Sequence, residues 1–190
     1  LGNEYLFQSA TETNIEVLNG YGVKKVITNC PHCLNTLKNE YPAFGGQFEV
    51  VHGTELVAHL VQAGKLKLEQ TVDVDLTYHD PCYLSRINGQ VEAPRAILEA
   101  IPGVKLTEME KHGEATMCCG AGGGRFWLEE HLGKRVNHER FEQALETKAS
   151  TIAVGCPFCN VMLNNAAGET GHEGVATTDV LELAAKALKA

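Results

Sequence analysis

Seven cysteines fall into four groups: Cys30 and Cys33 in Cys30-Pro31-His32-Cys33, Cys82 after His79-Asp80-Pro81, the adjacent pair Cys118-Cys119 before Gly120, and Cys156 and Cys159 in Cys156-Pro157-Phe158-Cys159. A Cys-x-x-Cys pair at a strand-to-helix turn directs two thiolates at one centre, where the helix N-terminus stabilises them as anions. Soft thiolates select zinc, copper(I) or iron–sulfur clusters. Cys82, Cys118, Cys119, Cys156 and Cys159 together offer five sulfurs, one more than a tetrahedral zinc site or an ordinary cubane cluster takes. Free buried thiols, a zinc site or an inert disulfide are the plainer alternatives, because cysteine is also a common small core residue. An odd count excludes full pairing within the chain, and the ring closed by adjacent cysteines strains the peptide between them. The thiols are therefore read as reduced ligands, and with no secretory signal the expected compartment is cytoplasmic.

Around the cysteines stand groups that could serve the same site. Gly120, Gly122, Gly123 and Gly124 follow the vicinal pair and lead into Arg125-Phe126-Trp127. The dinucleotide pattern G-x-G-x-x-G fails here because Arg125 occupies the third required position. The loop is read instead as a close backbone approach to a cofactor, with N–H groups donating to sulfur from the Gly120 and Gly122 region and a plain turn as the alternative. Arg125 and Arg86 are candidate counter-charges for an anionic centre, Arg125 being the better placed. His79 and His32 are candidate donors to ligand sulfurs, whereas His131 and His138 belong to a charged helix. Asp80-Pro81 marks a turn or helix cap after a strand.

These groups must be positioned by the rest of a chain of 190 residues, 44% hydrophobic and 21% charged, with a formal net charge of −8. That composition suits a globular domain, and its acidity excludes a nucleic-acid surface. No apolar run approaches the roughly 20 residues of a membrane-spanning helix. β-branched runs alternate with amphipathic segments. Strands are expected at Lys24–Thr28, Phe48–His52, Val74–His79, Val104–Met109, Thr151–Val154 and Gly174–Thr177. Helices are expected at Glu4–Leu18, Cys33–Glu40, Glu55–Ala63, Ala93–Ala100, Leu132–Lys148, Phe158–Asn165 and Asp179–Leu188. This order predicts an α/β fold, mainly parallel, with the cysteines at strand C-terminal and helix N-terminal ends.

An internal repeat refines that expectation. Asn14–Asn39 aligns without a gap on Arg140–Asn165, setting Cys30 and Cys33 on Cys156 and Cys159, and Val51–Leu56 matches Val175–Val180. Two pseudo-repeated βα halves follow: residues 1–70, a partial copy with the CPHC motif, and residues 71–190, a complete one. Cys119 precedes Cys156 by 37 positions, and the same step back from Cys30 falls before residue 1. The first copy thus has no room for a vicinal pair of its own: either that half never had a full site, or the chain is expected to be the C-terminal part of a longer protein.

The elements His79-Asp80-Pro81-Cys82-Tyr83-Leu84, Cys118-Cys119-Gly120-Ala121-Gly122-Gly123-Gly124 and Gly155-Cys156-Pro157-Phe158-Cys159, with Asn29-Cys30-Pro31-His32-Cys33 as the tail of a first copy, resemble the cysteine-rich CCG-domain proteins related to the B-type subunit of heterodisulfide reductase. The resemblance covers nearly the whole chain. It is strongest to the C-terminal portion of long, membrane-associated iron–sulfur oxidoreductases that also carry a ferredoxin-like domain and pass electrons between flavoproteins and quinones. It implies a noncubane [4Fe–4S] cluster held by Cys82, Cys118, Cys119, Cys156 and Cys159. Cys30 and Cys33 match only the last two positions of the other motif, and two thiolates alone cannot close such a site. The implied role is electron transfer within a larger redox complex at the cytoplasmic face of a membrane. Its partners would be other redox domains or subunits, namely a ferredoxin-like domain and a flavoprotein, with membrane contact made only by upstream segments. Aerobic preparation would be expected to strip the cluster or replace it with zinc. A structural zinc-binding module and a thiol–disulfide redox protein are the other function classes, separable by metal and sulfide analysis.

Overall fold

The computed structural model describes residues 2–128 and 132–189. Helix α1 (Glu4–Gly20) is capped by Asn3, whose side-chain oxygen accepts the Leu6 N–H at 3.1 Å. It leads to a two-stranded parallel sheet of β1 (Lys25–Thr28) and β2 (Glu49–His52). Between these strands, α2 (Pro31–Asn35) starts on Pro31 and runs on into a π-helical turn, Thr36–Glu40. Helix α3 (Gly53–Gln62) follows β2 at once.

A second, four-stranded parallel sheet has the order β4-β3-β5-β6, from β3 (Val74–His79), β4 (Val104–Leu106), β5 (Thr151–Val154) and β6 (Ala176–Asp179). Crossover helices are α4 (Glu92–Ala100), α5 (Val136–Glu146) and α6 (Pro157–Glu169), and α7 (Val180–Lys186) follows β6. All of β5 is buried, as a central parallel strand covered on both faces must be. Leu76, Tyr78 and Ala153 meet α4 and α7, with Ala58 of α3 in the same core. Ile152 and Val154 face Phe141 of α5 and Leu163 of α6, and that cluster also contains Cys119, Cys156 and Cys159. In register, His79 pairs with Val154 and so points to the cysteine face.

The order makes a switch point. From β3 the chain crosses outward to β4, and from β5 it crosses the other way to β6, so the loops after β3 and β5 part and leave a crevice at their carboxyl ends. Ligands of open α/β sheets bind at such a place. Cys82 follows β3 and Cys156 follows β5.

The α/β fold with parallel sheets is as the alternation predicts, and β3 and β5 occupy the expected residues. The differences are local. Strand β4 stops at Leu106, where Thr107 N–H still bonds Leu76 O but the ladder ends. β6 is shifted two residues late, ending at Asp179, whose carboxylate accepts Leu181 N–H and caps α7. The helix expected from Leu132 begins at Val136, and His131 lies outside the described residues. Cys33–Glu40 is an α-helix only to Asn35.

Candidate metal centre

Two buried arginines hold the loops that carry the cysteines. Just after β3, the Asp80 carboxylate accepts Arg95 Nη1 and Nη2 at 2.8 and 2.9 Å and the Gly113 N–H at 2.7 Å. The Asp80 carbonyl accepts the Thr116 hydroxyl at 3.1 Å. The stretch leading into Cys118 is thereby tied to the stretch leading into Cys82. Arg140 of α5, fully buried, adds a second tie: its Nε donates to His79 Nδ1 at 2.9 Å, its Nη1 to Lys111 O and Gln143 Oε1, and its Nη2 to Thr116 Oγ1 at 3.3 Å. Bidentate, charge-assisted bonds fix direction as well as distance.

The thiols form a continuous series through these loops. Cys82 bonds Cys118, Cys118 bonds its neighbour Cys119, Cys119 meets Cys159 at 3.3 Å between sulfurs, and Cys159 bonds Cys156. Protons divide unevenly along it. The Cys118 thiol is held far below its ordinary range by bonds from Cys119 and Cys82 and by the N–H groups of Gly120 and Gly122, against burial. Gly120 N lies 3.3 Å from its sulfur. Cys156 is lowered to about 5, chiefly by Cys159, with help from His32 and the first N–H groups of α6. Cys82 is pushed far up, mainly because it donates to Cys118, and Cys119 rises to about 12 for the same reason. Cys159 is raised by donating to Cys119 and Cys156. Nothing pairs these sulfurs covalently: all seven thiols are free.

The series runs on into the other half. His32 bonds Cys156 first and Cys30 second, which raises its pKa to about 9. Cys30 is lowered despite burial, by His32 and by backbone N–H groups of α2. Cys33, an exposed residue, is raised to about 11 by the partial desolvation of its sulfur against the neighbouring thiols and by its bond to Cys30. On the far side, a ring nitrogen of His79 and the sulfurs of Cys119 and Cys159 lie within 4.8 Å of one another, all three residues buried. Burial and the Arg140 charge hold His79 down to about 3, hence neutral.

Five sulfurs from three separated stretches, two already anionic, suit a soft metal centre. Gly122 supports the fit, since a Cβ there would stand 3.9 Å from Cys118 Sγ and line the approach to that sulfur. Residues 1–38 and 76–164 match the CCG family, described as the cysteine-rich domain. The chain belongs to the CCG family. It is 48% identical over 189 residues to the probable iron-sulfur-binding oxidoreductase FadF of Bacillus subtilis, covering 99% of this chain and 27% of that protein. It is 46% identical over 197 residues to the EtfAB:quinone oxidoreductase of Syntrophomonas wolfei, covering 100% of this chain and 28% of the relative. A component of the dihydromethanophenazine:CoB–CoM heterodisulfide reductase of Methanosarcina barkeri is 39% identical over 178 residues, 92% of this chain and 43% of that one. The chain thus spans between a quarter and a half of the length of these relatives.

Beside the CCG loop, with no cysteine in its wall, lies a cavity of about 260 Å³ lined by His32, Ala121, Gly122, Gly123, Gly124, Phe126, Trp127 and Phe158. Gly123 and Gly124 take φ of 65° and 77°, left-handed turns that let the strip fold over Cys118. Phe126 packs edge-on against Phe158 at 5.1 Å and His32 against Tyr83 at 4.4 Å. Arg125 and Arg86 are both exposed on the surrounding turns. His138 bonds Glu169 at 2.6 Å, away from the thiols. Sequence reasoning missed Arg140, Thr116 and Arg95. Arg140 carried a signal, because it shares the buried face of α5 with Asn137, Phe141 and Ala144 at helical spacing.

Proposed function

We propose that this CCG domain holds an iron–sulfur cluster of the noncubane [4Fe–4S] type through Cys82, Cys118, Cys119, Cys156 and Cys159, and relays electrons inside a larger oxidoreductase. The observation that carries this reading is the unbroken series of thiols drawn from three distant stretches, with one sulfur more than a cubane needs. The names of the relatives, an iron-sulfur-binding oxidoreductase, a quinone oxidoreductase and a heterodisulfide reductase component, agree with it. When bound, the cluster supplies reversible electron exchange. The chain supplies the sulfurs, N–H donors from Gly120 and Gly122, and the packed rings of Phe126 and Phe158 beside them. Residues 71–190 form the complete half and residues 1–70 the partial one. With one complete motif, relay to a partner is favoured over cleavage of a disulfide. The partners are a ferredoxin-like domain and a flavoprotein at the cytoplasmic face of a membrane complex, and Arg125 meets the anionic centre or its partner. No described helix is long and apolar enough to cross a membrane.

Anaerobic reconstitution with iron and sulfide, followed by metal analysis and electron paramagnetic resonance, tests this reading. About four irons and four sulfides per chain are expected, with a spectrum altered by Cys118→Ser. Zinc near one per chain without sulfide would make the domain a zinc module, and an unaltered cubane spectrum in Cys118→Ser would remove the five-sulfur site.

A further inference from the structure

Among the cysteines sits a histidine with a ring nitrogen within 4.8 Å of two sulfurs. His79, Cys119 and Cys159 would pass for three ligands of one ion on spacing alone. The hydrogen bond on the other side of the ring decides the matter. Arg140 Nε lies 2.9 Å from His79 Nδ1, and a guanidinium has donors only. Nδ1 therefore offers its lone pair, which excludes the imidazolium and the Nδ1–H tautomer together. A neutral ring with a lone pair on Nδ1 carries its proton on Nε2. Nε2 is buried and makes no hydrogen bond to any atom, sulfur included, so its N–H is left over for the centre whose Cys119 and Cys159 sulfurs lie within 4.8 Å of a ring nitrogen. Arg140 is itself held by Lys111 O, Gln143 and Thr116, so it cannot turn away to release the ring.

We propose that in the assembled metal centre His79 donates a hydrogen bond, through Nε2–H, toward the Cys119 and Cys159 sulfurs and is not a ligand, and that Arg140 is the positioning residue that fixes this tautomer. The proposal rests on the cluster reading for its redox consequence but not for its geometry. A donor to a ligand sulfur spreads negative charge and favours the reduced state, so His79 holds the midpoint potential above the value the sulfurs alone would set. It also accounts for a buried arginine and a buried imidazole at the end of β3, where an apolar pair would pack with less cost.

Two arms test it. In uniformly ¹⁵N-labelled, reduced, metal-free protein, long-range ¹H–¹⁵N correlation spectra should show His79 with an unprotonated Nδ1 and a protonated Nε2, and Arg140→Gln should abolish that single-tautomer pattern. In reconstituted protein, His79→Leu should lower the midpoint potential at unchanged iron content, and His79→Gln, whose amide reaches toward the Nε2 position, should restore it most of the way. A residue that merely filled space would shift iron content or unfolding and leave the potential in place. Nδ1–H in the wild type overturns the proposal, as does a potential that is the same in His79→Leu and wild type. If no variant takes up iron, the cluster reading fails while the tautomer arm still decides the fate of His79. Should His79→Leu not fold, His79→Gln against Arg140→Lys gives the comparison in folded proteins.

Discussion

Replacing Asp80 with alanine should cost far more than the loss of an ordinary ion pair. Its carboxylate is 1% exposed and accepts three donors, two from Arg95 and one from the Gly113 N–H, at 2.7 to 2.9 Å. Breaking a buried pair by removing one partner costs about 3–5 kcal/mol, because the other charge is stranded. Arg95 is not wholly stranded here. Glu108 still accepts from it at 2.6 and 3.0 Å and Val91 O at 2.9 Å, so the lower end, about 3 kcal/mol, applies. The Gly113 N–H, left without an acceptor, adds about 1 kcal/mol. The expected loss is about 4 kcal/mol, a large part of a stability of about 5–15 kcal/mol. Urea unfolding of the reduced, metal-free protein measures it, with Glu108→Gln as a control; Glu108 is 29% exposed and its loss should cost about 1 kcal/mol or less. Because the same carboxylate ties Gly113 and the approach to Cys118 to the approach to Cys82, Asp80→Asn should retain less iron even where it folds. A loss below about 1 kcal/mol in Asp80→Ala would refute the claim that this network sets the loops.

Cys33→Ser should keep its iron and Cys159→Ser should lose it, since Cys33 is exposed and at the far end of the series whereas Cys159 contacts both Cys119 and Cys156; equal retention would dissolve the distinction. Gly120→Val should destabilise by about 2 kcal/mol in thermal or urea unfolding, because Gly120 sits at φ of 92° and a Cβ would stand 3.2 Å from Asn137 N. The pH dependence of the metal-free protein follows from Cys156, at about 5 against an ordinary 9.0, acting in the same direction as the lowered Cys118 and His79. Between those values the unfolded thiol binds a proton that the folded one has lost, so stability rises with pH. His32, raised from 6.5 to about 9, opposes the rise only between those two values, and the clearest climb is therefore from pH 5 to 6.5. Urea titrations should find that climb reduced in Cys156→Ser; a wild-type profile that falls across the same interval would contradict the assignment.

The sheet was legible because β3 and β5 are buried on both faces and their β-branched and aromatic residues leave a continuous signal that competing turn residues do not interrupt. The strand-end placement of Cys82 and Cys156–Cys159 was legible for the same reason, since Pro81 and Pro157 punctuate the chain at those points; Cys118–Cys119 instead sit in the long connection between β4 and α5, not at the strand end the pattern predicts. Helix ends were not. The π-helical turns at Thr36–Glu40 and Tyr83–Ile87 keep helical side-chain periods while changing the hydrogen-bond step, so no residue pattern announces them. The buried arginines were hard to read for a different reason: a charged residue is assigned to solvent by default, and against that default Arg140 had only its place on the buried stripe of α5, while its partners are tertiary. Arg140 finds His79 61 positions away in the chain.

The uneven sharing of protons among the sulfurs has a consequence for how the centre fills. Cys118 and Cys156 are the sulfurs driven toward thiolate, each by thiols that donate to it, and Cys82, Cys119 and Cys159 are pushed the other way for the same reason. The metal-free site therefore bears far less charge than five thiolates would, which lets a chain of net charge −8 close over it without severe repulsion. A thiophilic metal must bind sulfur as thiolate, so loading expels the protons that the metal-free site uses to hold itself together. Metal–sulfur bonds would take the place of hydrogen bonds between thiols along much the same series of atoms. Through that exchange the backbone N–H donors of Gly120, Gly122 and the start of α6 would go on facing sulfur. Preorganisation then resides in amides that do not titrate, and the sulfurs are free to trade one partner for another.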